Sequence, residues 1–86
     1  MNEIIWHNRA RKQMKKIPKQ YRESIHNCVD QLGTFPKCGR LDITEIKNHP
    51  YGYRMRVGRY RVLFDYAKVI KIIKIQEVKK RDERTY

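Results

Sequence analysis

Acidic residues are scarce in this 86-residue chain: nine Asp and Glu stand against 21 Lys and Arg, a formal net charge of +12. So large an excess makes a compact chain repel itself, and it suits a polyanionic partner such as nucleic acid or an acidic protein. Long apolar runs are missing as well, which excludes a membrane-spanning helix. The opening Met-Asn-Glu has neither the basic nor the apolar region of a signal peptide, so the sequence predicts a cytoplasmic protein with no membrane partner. Cysteine is limited to Cys28 and Cys38, too few for a disulfide framework and not at zinc-site spacing with His7, His26 and His49. Two free thiols and no metal are the prediction. There is no Gly-rich phosphate loop, no His-Glu-x-x-His, no nucleophile elbow and no Cys-x-x-Cys, so no cofactor is predicted. Repeats, low-complexity tracts and linkers are absent too, which leaves a single domain over residues 1–86.

What is present is concentrated in Tyr51 to Phe64, read as two short strands joined at Gly58. Successive strand residues point to opposite faces of a sheet. Tyr53, Met55 and Val57 therefore share one face with Tyr60, Val62 and Phe64 across the turn. Arg54, Arg56, Arg59, Arg61 and Leu63 fall on the other. A planar guanidinium donates two parallel hydrogen bonds to a phosphoryl group and stays charged at physiological pH. The strand pair thus reads as a core-forming face backed by an anion-binding face.

The rest of the chain supplies the layers. Glu3 to Trp6 reads as a strand buried on at least part of both faces, and Asn8 as the N-cap of a helix from Arg9, with Ala10, Met14 and Ile17 at helical spacing. Pro18 separates it from a second helix, Lys19 to Leu32, carrying Tyr21, Ile25, Cys28, Val29 and Leu32, with Gly33 as its left-handed stop. Phe35 to Gly39 is a loop, and Leu41, Ile43 and Ile46 an edge strand or bent segment. Asp65 to Lys68 reads as a hairpin turn into a last β-branched strand, Lys68 to Val78. The predicted fold is α+β, in the order β-α-α-β-β-β with one further strand possible. A small antiparallel sheet has the N-terminal helical hairpin packed on one face.

Several segments together carry a family resemblance: the opening strand before Ala10-x-x-x-Met14-x-x-Ile17-Pro18, the Phe35-Pro36 loop, and Ile46-Lys47 leading into Tyr53-Arg-Met-Arg-Val-Gly-Arg-Tyr-Arg-Val62. The chain then ends on Lys80-Arg81 before Tyr86. Nearly end to end, the sequence resembles the RelE/ParE toxin superfamily of toxin-antitoxin systems, and within it the RelE-like mRNA interferases. The resemblance implies a RelE-like microbial RNase fold and a cytoplasmic toxin that enters the 30S decoding site of the ribosome. There it would cut mRNA without a metal and so inhibit translation. The ribose 2'-hydroxyl attacks the adjacent phosphate, leaving a cyclic phosphate and a free 5'-hydroxyl. It also implies a cognate acidic antitoxin, and a toxin-antitoxin hetero-oligomer able to bind operator DNA.

By position, Arg54 and Arg56 match the family's two basic strand residues, Arg61 its phosphate-binding arginine, Arg81 its acid or charge-stabilising arginine, and Tyr86 its C-terminal tyrosine. Arg56, Arg61, Lys80, Arg81 and Tyr86 are the candidate catalytic residues. Arg54, Arg59, Lys47, His49, Lys79 and Arg84 are candidate RNA or phosphate contacts. Arginine hardly releases its proton, so a base is sought among Lys47, His49, Lys80 and Tyr86. Two other readings stand beside the nuclease: a ParE-like gyrase-poisoning toxin, and a non-catalytic basic nucleic-acid-binding module.

Overall fold

The computed structural model describes residues 1–80. The chain forms β1 (Glu3–Trp6), α1 (Asn8–Lys15), α2 (Lys19–Gln31), a 3₁₀ turn (Leu32–Thr34), β2 (Asp42–Glu45), β3 (Tyr53–Val57), β4 (Tyr60–Ala67) and β5 (Ile72–Lys80). This is the α+β layer expected from the patterning. The five strands lie in the order β1-β5-β4-β3-β2, with β2 to β5 mutually antiparallel and β1 added in parallel to β5. The sheet is therefore mixed rather than wholly antiparallel. A parallel pair needs a long crossover, and the two helices with the intervening strands provide it.

Both helices cover one sheet face. Ala10 and Met14 of α1 and Ile25 and Val29 of α2 join Met55, Tyr60, Val62, Phe64, Ile73, Ile75 and Val78 in a single buried cluster. These residues alternate along β3 and β4 as strand periodicity requires. Phe35 anchors the loop after the 3₁₀ turn, with its ring 5.1–5.6 Å from those of Tyr53, Phe64 and Tyr66. Beyond Trp6, β1 ends and leaves the edge of β5 open, and α1 closes it. Gln13 Oε1 accepts the Val78 N–H at 2.6 Å, satisfying an edge donor that no strand reaches.

Three local expectations shift. The cap of α1 is His7, not Asn8. Its N–H is held by Ile75 O (2.9 Å) as the chain leaves the sheet, and its Nδ1 accepts the Arg9 N–H at 3.0 Å. Gly33 is not a left-handed stop. It continues into the 3₁₀ turn, is buried, and accepts the Asn2 N–H at 2.8 Å. Asp65 is not in a turn. Its Oδ1 accepts the Gly52 N–H at 2.7 Å and its Oδ2 the Gln76 side chain at 3.0 Å, so β4 runs on to Ala67. The turn then falls on Lys68 to Lys71, with Lys71 at φ 55° and Val69 94% exposed. Gly58 is where it was expected, at φ +56°, a conformation that glycine adopts without steric cost.

Candidate anion-binding face

The sheet face away from the helices is built by pairing register. Arg56 of β3 stands beside Arg61 of β4, and Arg61 beside Lys79 of β5, so three cations lie in one row across three strands. Neighbouring strands are about 4.8 Å apart, so the row spans about 10 Å. The next row holds Thr44, Arg54, Leu63 and Glu77. Two carboxylates flank the cations: Asp42 Oδ2 is 3.8 Å from Arg56 Nε, and Glu77 Oε1 is 3.7 Å from Lys79 Nζ. Both ion pairs reach solvent, and exposed pairs of this kind contribute little. Among the described residues, no carboxylate lies within ion-pair distance of Arg54 or Arg61.

Glu77 is unlike the other acids here, since its side chain is only 16% exposed and Gln13 Nε2 donates to its Oε1 at 3.3 Å. It ties the cationic face to α1. Leu63 is the apolar centre of the face and is 5% exposed, although it lies outside the main buried cluster. Strand alternation places Tyr53 on the helix side. There burial raises its phenol pKa above the ordinary value, helped by the charge of Glu45 and by Tyr66. Burial against the core likewise raises the Cys28 thiol, which makes it a poor nucleophile or metal ligand. Among the described residues no cluster of His, Cys, Asp or Glu could hold a metal, and no helix is long and apolar enough to cross a membrane.

A fold of this order matches known proteins. The sequence profile of the family described as ParE toxin of type II toxin-antitoxin system, parDE, matches residues 4–84. The chain belongs to that family of toxins. A comparison with curated protein sequences finds no significant match. Among solved structures, the fold is similar to that in the archaeal RelE-RelB complex from Pyrococcus horikoshii OT3. The TM-score is 0.81 at 24% identity, over 96% of this chain and 98% of that one. It is also similar to the isolated E. coli RelE toxin (TM-score 0.79, 15% identity, 98% and 88% covered). A third likeness is to the RelBE2 toxin-antitoxin complex from Mycobacterium tuberculosis (0.78, 17%, 93% and 98%). The RelE/ParE toxin fold is thereby shown for this chain.

The toxin's candidate residues divide by position. Arg54, Arg56, Arg61 and Lys79 come together on the uncovered face. Arg59 is exposed in the hairpin turn at the same end of β3 as Arg56. Lys80 pairs with Tyr60 and shares its face, so alternation turns it to the helix side, away from Arg61. Lys47 and His49 lie at the opposite end of β3, in a loop closed by the Ile46 N–H donating to Gly52 O at 2.8 Å. Arg81, Arg84 and Tyr86 lie outside the described residues. Gln13, Glu77 and Asp65 were not picked out from sequence as part of this face. Their partners are 65, 64 and 13 residues away, beyond the reach of any local pattern.

Proposed function

We propose that this toxin is a ribosome-dependent endoribonuclease that arrests translation by cutting mRNA. The observation that carries the reading is the cross-strand row of Arg56, Arg61 and Lys79 on the sheet face opposite α1 and α2. In cleavage by the ribose 2'-hydroxyl, that oxygen forms a new bond to phosphorus and loses its proton to a base. The 5'-oxygen then leaves, taking a proton as the bond to phosphorus breaks. Charge accumulates on the phosphorane between those events, and prearranged cations stabilise it most where water is excluded. Arg61 binds the phosphate, Arg56 and Arg54 offset the added charge, and Lys79 and Arg59 hold the flanking strand. Arg81 and Tyr86 are assigned to the leaving oxygen and the cut site by position in the sequence. With Lys80 on the helix side and Lys47 and His49 at the far end of β3, Tyr86, which lies outside the described residues, is the remaining base candidate.

The partner that restrains the toxin is an acidic antitoxin, drawn by the net charge of +12 and covering the helical hairpin and the sheet edge. Two of the similar solved structures are toxin-antitoxin complexes, which supports this. The matching family is the ParE one, so a gyrase-directed toxin is the competing reading. Primer extension on translated messages after induction separates the two. Codon-phased cuts with intact chromosomal DNA are expected, whereas DNA damage without such cuts overturns the nuclease reading.

A further inference from the structure

The uncovered face is crossed by a bar that the cationic row does not explain. Arg9, in the first turn of α1, donates from Nη1 to the Tyr51 hydroxyl at 2.6 Å. Arg9 follows edge strand β1 and Tyr51 precedes β3, three strands away in the sheet, about 14 Å at ordinary strand spacing. The helix side between them is filled by the buried cluster, so the two side chains meet over the uncovered side. Leu63 is buried on that same side although it belongs to no helix-packed cluster.

Tyr51 is not alone. His49 lies on the same closed loop, its ring centroid 5.6 Å from that of Tyr51 and tilted by 56°. His49 Nδ1 accepts the Tyr51 N–H at 3.1 Å, which fixes the two rings relative to each other. The loop is pinned again at Gly52, whose N–H donates to Asp65. Two positioned aromatic rings therefore stand at one end of the face, and Arg54 lies three residues further along the chain, between them and the Arg56–Arg61–Lys79 row.

Resting on the RNA-cleaving reading, we infer that Tyr51, braced by Arg9 and flanked by His49, is a stacking platform for a nucleobase of the single-stranded substrate. A guanidinium committed to a phosphate binds the backbone whether or not a base is attached. An aromatic ring binds any base through its π-face, which tolerates sequence and adds to the backbone term. The platform and the row thus divide the substrate: the base at Tyr51, the phosphates at Arg54 and beyond. Salt weakens the second contact far more than the first.

The test compares binding of the full toxin to a short oligoadenylate and to its abasic counterpart, which has the same backbone and no bases. Wild type is expected to prefer the oligoadenylate by about tenfold, within the range for one base stacked on an aromatic side chain. Tyr51→Leu keeps an apolar side chain at this position and removes the π-face, so the preference disappears while the salt dependence is unchanged. Tyr51→Phe keeps the ring and loses only the bond to Arg9, and it retains most of the preference. A Tyr51→Leu variant that still prefers the oligoadenylate overturns the platform, as does a wild type that binds both strands equally. Loss of binding to both strands by wild type would instead remove the RNA reading itself, and the platform with it.

Discussion

The two faces of one sheet have been given opposite tasks by the same strands. On the helix side, Met55, Val62, Phe64, Ile73 and Ile75 are fully buried. On the other side, at alternate positions of the same strands, Arg54, Arg56, Arg61 and Lys79 stand at or near solvent, and among the described residues only Arg56 and Lys79 have a carboxylate partner. Apolar burial contributes about 25 cal/mol per Å² to stability, whereas exposed ion pairs contribute almost nothing. The helix side therefore holds the fold together, and the other side is free to spend its side chains on a ligand. In so small a domain this separation matters, because there is little surplus core to offset a costly site.

The largest test of this division is Phe64→Ala. Truncating a fully buried aromatic is expected to cost about 3–5 kcal/mol, seen as a lowered urea midpoint, a large part of what such a domain has. The counterpart on the other face is Arg61→Ala. Message cleavage is expected to fall by about 10²–10³-fold, as for loss of one charge-stabilising donor. The unfolding free energy from urea titration should change by no more than about 0.5 kcal/mol, as for surface changes. Comparable destabilisation by both variants would break the division.

Gln13→Leu probes the edge where the two faces meet. It leaves the Val78 N–H without its acceptor and releases Glu77, at an expected cost of about 1–3 kcal/mol. Faster hydrogen exchange at the Val78 amide is the specific readout. The smallest effect concerns pH. The Tyr53 phenol has a raised pKa in the fold, so its protonated form is favoured there. Its contribution is whole below about pH 10, the ordinary phenol value, and is lost as pH rises through the folded value. Tyr53→Phe should flatten that alkaline loss in a series of urea titrations.

How much of this could be read in the chain depends on the range of the cause. Alternation from Tyr53 to Phe64 was legible because period-two patterning acts between neighbours, and the turn at Gly58 because its backbone angle is a local demand. The arginines could be assigned to one face for the same reason. Asp65 misled because its turn preference is local while its two hydrogen-bond partners, on the loop before β3 and on β5, are not. Cysteine behaved as the composition indicated: both thiols are free, and Cys28 is packed against the core.

The sequence by itself determined the α+β class, the apolar face and the placing of Arg54, Arg56 and Arg61 opposite it, since each follows from periodicity within one strand or helix. Only the tertiary structure decided which cations are neighbours. The pairing of Arg61 with Lys79, the turning of Lys80 to the helix side, the parallel placement of β1 and the Arg9–Tyr51 bar all depend on strand order and register. Those are settled when distant segments compete to bury the same apolar surface, and no residue records the outcome alone.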